Sequence, residues 1–129
     1  VIDKETHTLQ KAKGIYPEGL VISPKRVLNE PFEKLKDNFE GTLIGKYTIR
    51  SIDTDYGRHM NNVAYIRATE GLFSTKELEK KPIRELEIHY VNSSFEGETL
   101  LFFADKHEEY TDIKAVKEDG TTAVIVRIK

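Results

Sequence analysis

Arg50-Ser51-Ile52-Asp53-Thr54-Asp55-Tyr56-Gly57-Arg58-His59-Met60-Asn61-Asn62-Val63-Ala64-Tyr65 sets two carboxylates, an imidazole and two carboxamides between a strand and a helix. Upstream, Tyr47 and Ile49 alternate with Lys46, Thr48 and Arg50, the period of a half-buried strand. Downstream, Asn62, Tyr65, Ile66, Thr69, Leu72 and Phe73 recur at helical spacing. The polar cluster therefore falls at a helix N-terminus. There the first N–H groups lack intrahelical acceptors, and the positive end of the helix dipole favours a developing negative charge. An oxyanion is stabilised in such a place.

On either side of this segment the spacing predicts a strand over Thr42 to Ile52, a helix over Asn61 to Phe73 and a further turn over Thr75 to Lys80. Four strands follow. Ile83 to Asn92 alternates, with Leu86, Ile88 and Tyr90 on one face; Thr99 to Ala104 is apolar throughout and reads as central. Ile113 to Lys117 and Thr121 to Ile128 flank Asp119-Gly120, a hairpin signal. Before this, Lys11 to Glu40 carries Pro17, Pro24 and Pro31 with no sustained period, so it reads as an extended connector with at most a helical turn near Pro31 to Lys36.

Composition bounds the function classes. The 129 residues suit one domain with a single core, and the apolar and charged shares of 38% and 33% are those of an ordinary globular chain. A formal charge of -2 with mixed signs gives no footprint for nucleic acid, and no apolar run is long enough to enter and span a bilayer. Without cysteine there is no disulfide framework, thiolate zinc site or cysteine nucleophile. The first residues lack the pattern of a signal peptide, so a cytoplasmic location is the default expectation. Asp53-x-Asp55-x-Gly57 opens like a calcium loop, but Gly57, Arg58 and Ala64 stand where an oxygen ligand, a glycine and a glutamate are needed. The histidines at 7, 59, 89 and 107 form no helical pair for zinc. No metal or other cofactor is expected.

The segment from Asp53 to Tyr65 resembles the motif of hotdog-fold acyl thioesterases, in particular acyl-ACP thioesterases: Asp-x-Asp-x-Asn-x-His-[Val/Met]-Asn-Asn-x-x-Tyr. Asp53, Asp55, His59, Met60, Asn61, Asn62 and Tyr65 fit it, and Gly57 stands in the place of its first Asn. The likeness continues through Leu86 to Asn92 and Phe95 to Leu100; plant members carry a Glu-Cys pair where this chain has Ser93-Ser94. The resemblance implies an α+β hotdog, an antiparallel five-stranded sheet wrapped around a central helix. Residues 41–129 would form it, and residues 1–40 would be the end of a preceding unit and a linker, Val1 to His7 resembling the last strand of that unit. The chain is then the C-terminal half of a tandem enzyme. It also implies a role in fatty acid biosynthesis and lipid metabolism, hydrolysis of fatty acyl thioesters of acyl carrier protein or CoA to free fatty acid and thiol and, with a single sheet left uncovered, pairing with a copy of itself or a second hotdog unit.

By the same resemblance Asp55 is the catalytic carboxylate, either attacking the thioester or serving as general base on water, and His59 orients it or the substrate. Read alone, Asp55 is a helix cap or an Asx-turn carboxylate, the commonest job of Asp in such a turn. Asp53, two residues earlier, points the same way if the strand stays extended, or else bonds the turn backbone. One of Asn61 and Asn62 caps the helix, leaving the other for substrate or water. Tyr65 is core with its hydroxyl satisfied. Ser93 and Ser94 are turn or supporting residues, since no nucleophile elbow surrounds them. A glycine at 57 suits a turn residue of positive φ; asparagine would then fit, restore the family carboxamide and raise turnover. Lys11, Lys13, Lys25, Arg26, Lys34 and Lys36 offer an acidic carrier a surface, or are simply solvated. The rival reading is a non-catalytic acyl-binding or structural half.

Overall fold

The computed structural model describes residues 34–129 together with 19, 21 and 23–25. The chain separates into two compact units, Val1–Glu33 and Lys34–Lys129, and every described helix and strand lies in the second. The strand expected over Val1 to His7 and the basic residues Lys11, Lys13 and Arg26 lie outside the described residues. So does most of the turn expected near Pro31, whose described residues 34–36 are not helical.

Five strands form one antiparallel sheet: β1 (Thr42–Thr48), β2 (Leu86–Tyr90), β3 (Thr99–Lys106), β4 (Thr111–Lys117) and β5 (Thr122–Ile128), in the order β1-β3-β4-β5-β2. Alternation explains which face is covered. Leu100, Phe102, Ile113, Ala115, Val124 and Val126 point inward and are enclosed with Ala64, Tyr65 and Ala68 of helix α1 (Asn62–Glu70). The β3 run is paired on both sides, yet only Leu100, Phe102 and Ala104 are buried, while Leu101 and Phe103 face the other way, half-buried. On that outer face Lys114 donates to the carbonyls of Asp37 and Phe39, and Thr122 Oγ1 donates to the Asp37 carboxylate at 3.0 Å. Residues 34–40 are thereby fastened across the sheet. At the β4–β5 hairpin Gly120 takes φ +85°, and Asp119 Oδ1 accepts from the N–H and hydroxyl of Thr121.

Three boundaries depart from the sequence reading. The first strand stops at Thr48, and Ser51–Asp53 forms a 3-10 turn, because the Arg50 N–H and the Tyr47 hydroxyl both donate to Asp53 Oδ2 at 2.8 Å. The first helix ends at Glu70 instead of Phe73. Ser74 starts a new helix, α2 (Thr75–Lys80), through a reciprocal cap with Glu77. The second strand begins at Leu86 instead of Ile83; before it, the N–H groups of Arg84 and Glu85 converge on the Lys129 carbonyl.

Asp112 and Arg127 face each other across β4 and β5, joined by two hydrogen bonds of 2.7 and 2.8 Å, and the guanidinium lies 4.1 Å from the Tyr110 ring centre. Their side chains are only 12% and 17% exposed, so removing one partner strands a desolvated charge. Arg127→Met is expected to lower the unfolding free energy by about 3 kcal/mol in urea titrations, and adding Asp112→Val to recover most of it. Equal losses in the single and double variants would assign the effect to packing.

Candidate active site

Thr54 and Met60 bridge in antiparallel fashion, and between them the Asp55 N–H donates to the His59 carbonyl and the Arg58 N–H to the Asp55 carbonyl, both at 2.9 Å. Arg58 closes the loop in the left-handed region at φ 63°. This geometry brings Asp55 and His59, four residues apart, to the two ends of one tight turn. The turn is docked from both sides. The Met60 N–H donates to the Ser94 carbonyl at 2.8 Å, and the His59 ring lies against Phe95 with centroids 5.1 Å apart. The Asn61 N–H donates to the Asp53 carbonyl at 2.7 Å, and Asn61 Oδ1 accepts from the Val63 N–H, so Asn61 is the helix cap.

Gly57 corrects one expectation. Its φ is not positive, and the left-handed residue is Arg58. Space is what glycine supplies. A Cβ at 57 would stand 3.1 Å from Asp55 Oδ1 and 3.2 Å from His59 Nδ1, so the two side chains flank the void above this residue. The Gly57 N–H also donates to Asp55 Oδ1 at 2.8 Å, an Asx turn. Asparagine in that position would therefore wedge between carboxylate and imidazole.

A cavity of about 250 Å³ opens beside the turn. Asp55 and His59 line it from the turn, Asn62 and Tyr65 from α1, and Tyr90, Asn92 and Ser93 from the end of β2. At the helix start the N–H groups of Val63, Ala64 and Tyr65 are taken by Asn61, leaving the Asn62 N–H as the one without an acceptor among the described residues. The Tyr90 hydroxyl donates to the Asn62 carbonyl at 3.1 Å, and the Tyr90 and Tyr65 rings meet edge-on. Burial pushes both phenols up, Tyr65 against an opposing contribution from Ser94, so they stay neutral donors across the working pH range.

Of the residues singled out from sequence, Asp55, His59, Asn62 and Ser93 share this cavity; Asp53, Gly57, Asn61 and Ser94 do not line it. The strand break at Thr48 removes the geometry that would have aligned Asp53 with Asp55. Asp53 is buried under Tyr47 and Arg50 and bonds the turn, whereas Asp55 is exposed. Ser94 is fully buried, and among the described residues its hydroxyl makes no hydrogen bond of good geometry. Tyr90 and Asn92 were not singled out from sequence, although Asn92 is fixed by its amide donating to the Thr122 carbonyl at 2.7 Å. Their position at the end of an alternating strand, next to Ser93, was the available signal. Among the described residues no three His, Asp or Glu side chains gather as a metal site.

Residues 36–128 match the family model for the acyl-ACP thioesterase C-terminal domain. The chain belongs to this family. Among solved structures, an acyl-ACP thioesterase from Bacteroides thetaiotaomicron is similar at a TM-score of 0.69 and 24% identity, over 82% of this chain and 43% of that one. A Staphylococcus aureus protein in complex with CoA gives 0.61 and 17%, over 69% and 74%. A DHNA-CoA thioesterase from the same organism gives 0.53 and 19%, over 65% and 68%. These likenesses bear out the α+β hotdog architecture. This member of the family spans less than half the length of the Bacteroides enzyme. No curated protein sequence matches the chain.

Two substitutions test this geometry. Ser94→Ala removes a buried hydroxyl whose only partner among the described residues is a weak contact with Tyr65, so the melting temperature should hold or rise by a few degrees, with thioester turnover little changed. A collapse of turnover would make Ser94 part of the chemistry. Gly57→Asn should leave urea stability within about 0.5 kcal/mol, since the side chains it displaces are exposed, but lower turnover by roughly tenfold. Faster turnover would show that the carboxamide outweighs the crowding.

Proposed function

We propose that this domain hydrolyses fatty acyl thioesters, carried on acyl carrier protein or CoA, to free acid and thiol. The observation that carries this reading is the meeting of Asp55 and His59 at one turn, in a cavity that also holds the helix-start residue whose N–H is unengaged. A thioester carbonyl placed there directs its oxygen to the Asn62 N–H, where the helix dipole favours the negative charge of the tetrahedral intermediate. Asp55 takes the proton of an attacking water, or attacks the carbonyl carbon itself to give a mixed anhydride that a water then hydrolyses. Collapse breaks the C–S bond, and the leaving thiolate takes a proton from His59. No metal is called on. We place the reaction in cytosolic fatty acid metabolism. Among the described residues no helix is long and apolar enough to cross a membrane.

A second reading, an acyl-binding half without turnover, is favoured by the Gly57 N–H already occupying Asp55 Oδ1. Thiol release over a panel of acyl-ACP and acyl-CoA substrates separates the two. Asp55→Asn keeps the shape and loses the charge, so it should lower release by at least ~100-fold with an unchanged melting profile. Near-parental release would remove Asp55 from the mechanism, and no release by the parent would favour the binding module.

Pairing belongs to the same proposal. Ile52, Tyr56, Val63, Val91 and Phe95 are exposed, Val91 in the cavity lining, and β1 and β2 are open sheet edges. A second hotdog unit, or a copy of this chain, covers them. Light scattering behind a sizing column should therefore give a dimer mass. A monomer mass independent of concentration contradicts self-pairing.

A further inference from the structure

At the opposite end of α1, roughly 14 Å of helix away from the candidate active site, a cavity of about 310 Å³ lies where α2, the start of β2 and the end of β5 converge. Its floor is apolar, built from Phe73, Leu78, Pro82, Ile83 and Ile128. Its rim is mainly basic, with Lys80, Lys81, Lys106 and Lys129 lining the opening beside Glu77 and His107. Lys129 is paired with Glu85 at 3.1 Å, but Lys80, Lys81 and Lys106 form no ion pair with any described residue. The carboxylates of Glu77, in the lining, and Asp105, next to Lys106 in sequence, are engaged by other groups. Glu77 accepts from the N–H and hydroxyl of Ser74, contacts that hold its carboxyl below the usual range with a smaller pull from Lys106, and Asp105 is paired with His107.

Each half of this arrangement selects one part of a ligand. A small hydrophilic anion would satisfy the ammonium groups and leave the apolar floor wet, and a neutral lipid would cover the floor and gain nothing from the rim. Only a molecule carrying both, an aliphatic chain with one anionic head, uses the whole cavity. A concave site of this size also suits a small amphiphile better than a protein surface, which docks over a wider and flatter area.

We propose that this second cavity binds a long-chain carboxylate, its chain on the Phe73, Leu78 and Ile83 floor and its head among Lys80, Lys81 and Lys106. The ligand class coincides with the acid released in the reaction proposed above, but the binding does not depend on turnover.

Displacement of a fluorescent fatty acid from the 129-residue protein, below micelle-forming concentrations, tests this directly. Affinity should rise about fourfold per added methylene from octanoate through decanoate to laurate. Dodecanol should bind roughly tenfold more weakly than laurate, and so should laurate to a Lys81→Glu, Lys106→Glu double variant, whose exposed positions spare the fold. Asp55→Asn should leave laurate binding unchanged. The proposal is overturned if the double variant binds laurate like the parent, if dodecanol matches laurate, if Asp55→Asn abolishes binding, or if only anionic vesicles and not monomeric laurate displace the probe.

Discussion

Asp53 is the residue on which the geometry of the site depends. Its carboxylate draws in the Tyr47 hydroxyl and the Arg50 N–H, ending the first strand in a 3-10 turn, and its carbonyl receives the Asn61 N–H at 2.7 Å. One side chain and one backbone oxygen thus tie the strand end to the helix start. Because the residue is 8% exposed, these bonds are made out of water, where leaving any of them unmade is costly. Everything between Asp53 and Asn61, including Asp55 and His59, is a loop held at both ends by this one residue.

That constraint divides labour inside the motif. Two acidic residues two apart look alike in sequence, yet one is buried and structural and the other is exposed at the cavity. The two asparagines divide in the same way: Asn61 spends its side chain on the Val63 N–H, while Asn62 contributes an unengaged N–H and a side chain in the cavity. The polar density of the segment therefore overstates the number of groups free to meet a substrate. Gly57 and Ser94, where the chain departs from the family pattern, are both explained by packing: one keeps room between carboxylate and imidazole, the other is sealed beneath Tyr65.

Most of the fold was legible because alternation and helical spacing report directly on which face is buried. The five strands, the Asp119-Gly120 hairpin and the helix after Asn61 all appear where the patterns place them, within a few residues. Boundaries set by side-chain capture of the backbone were not legible. Nothing periodic announces that Asp53 curls Arg50 into a turn, or that Ser74 and Glu77 end one helix by starting another. For the site, sequence brought Asp55, His59, Asn62 and Ser93 forward, but Tyr90 and Asn92 enter it from a strand 28 and 30 positions beyond Asn62, a proximity only the fold creates.

In the proposed reaction a thioester carbonyl sits between the Asp55–His59 turn and the Asn62 N–H. Amide chemical shifts followed while a non-hydrolysable ketone analogue of an acyl thioester is titrated in would test it most directly. The largest change is expected at the Asn62 amide, moving downfield as it acquires an acceptor, with smaller changes across 55–60 and 90–93. Saturable binding that leaves the Asn62 amide unmoved would contradict it.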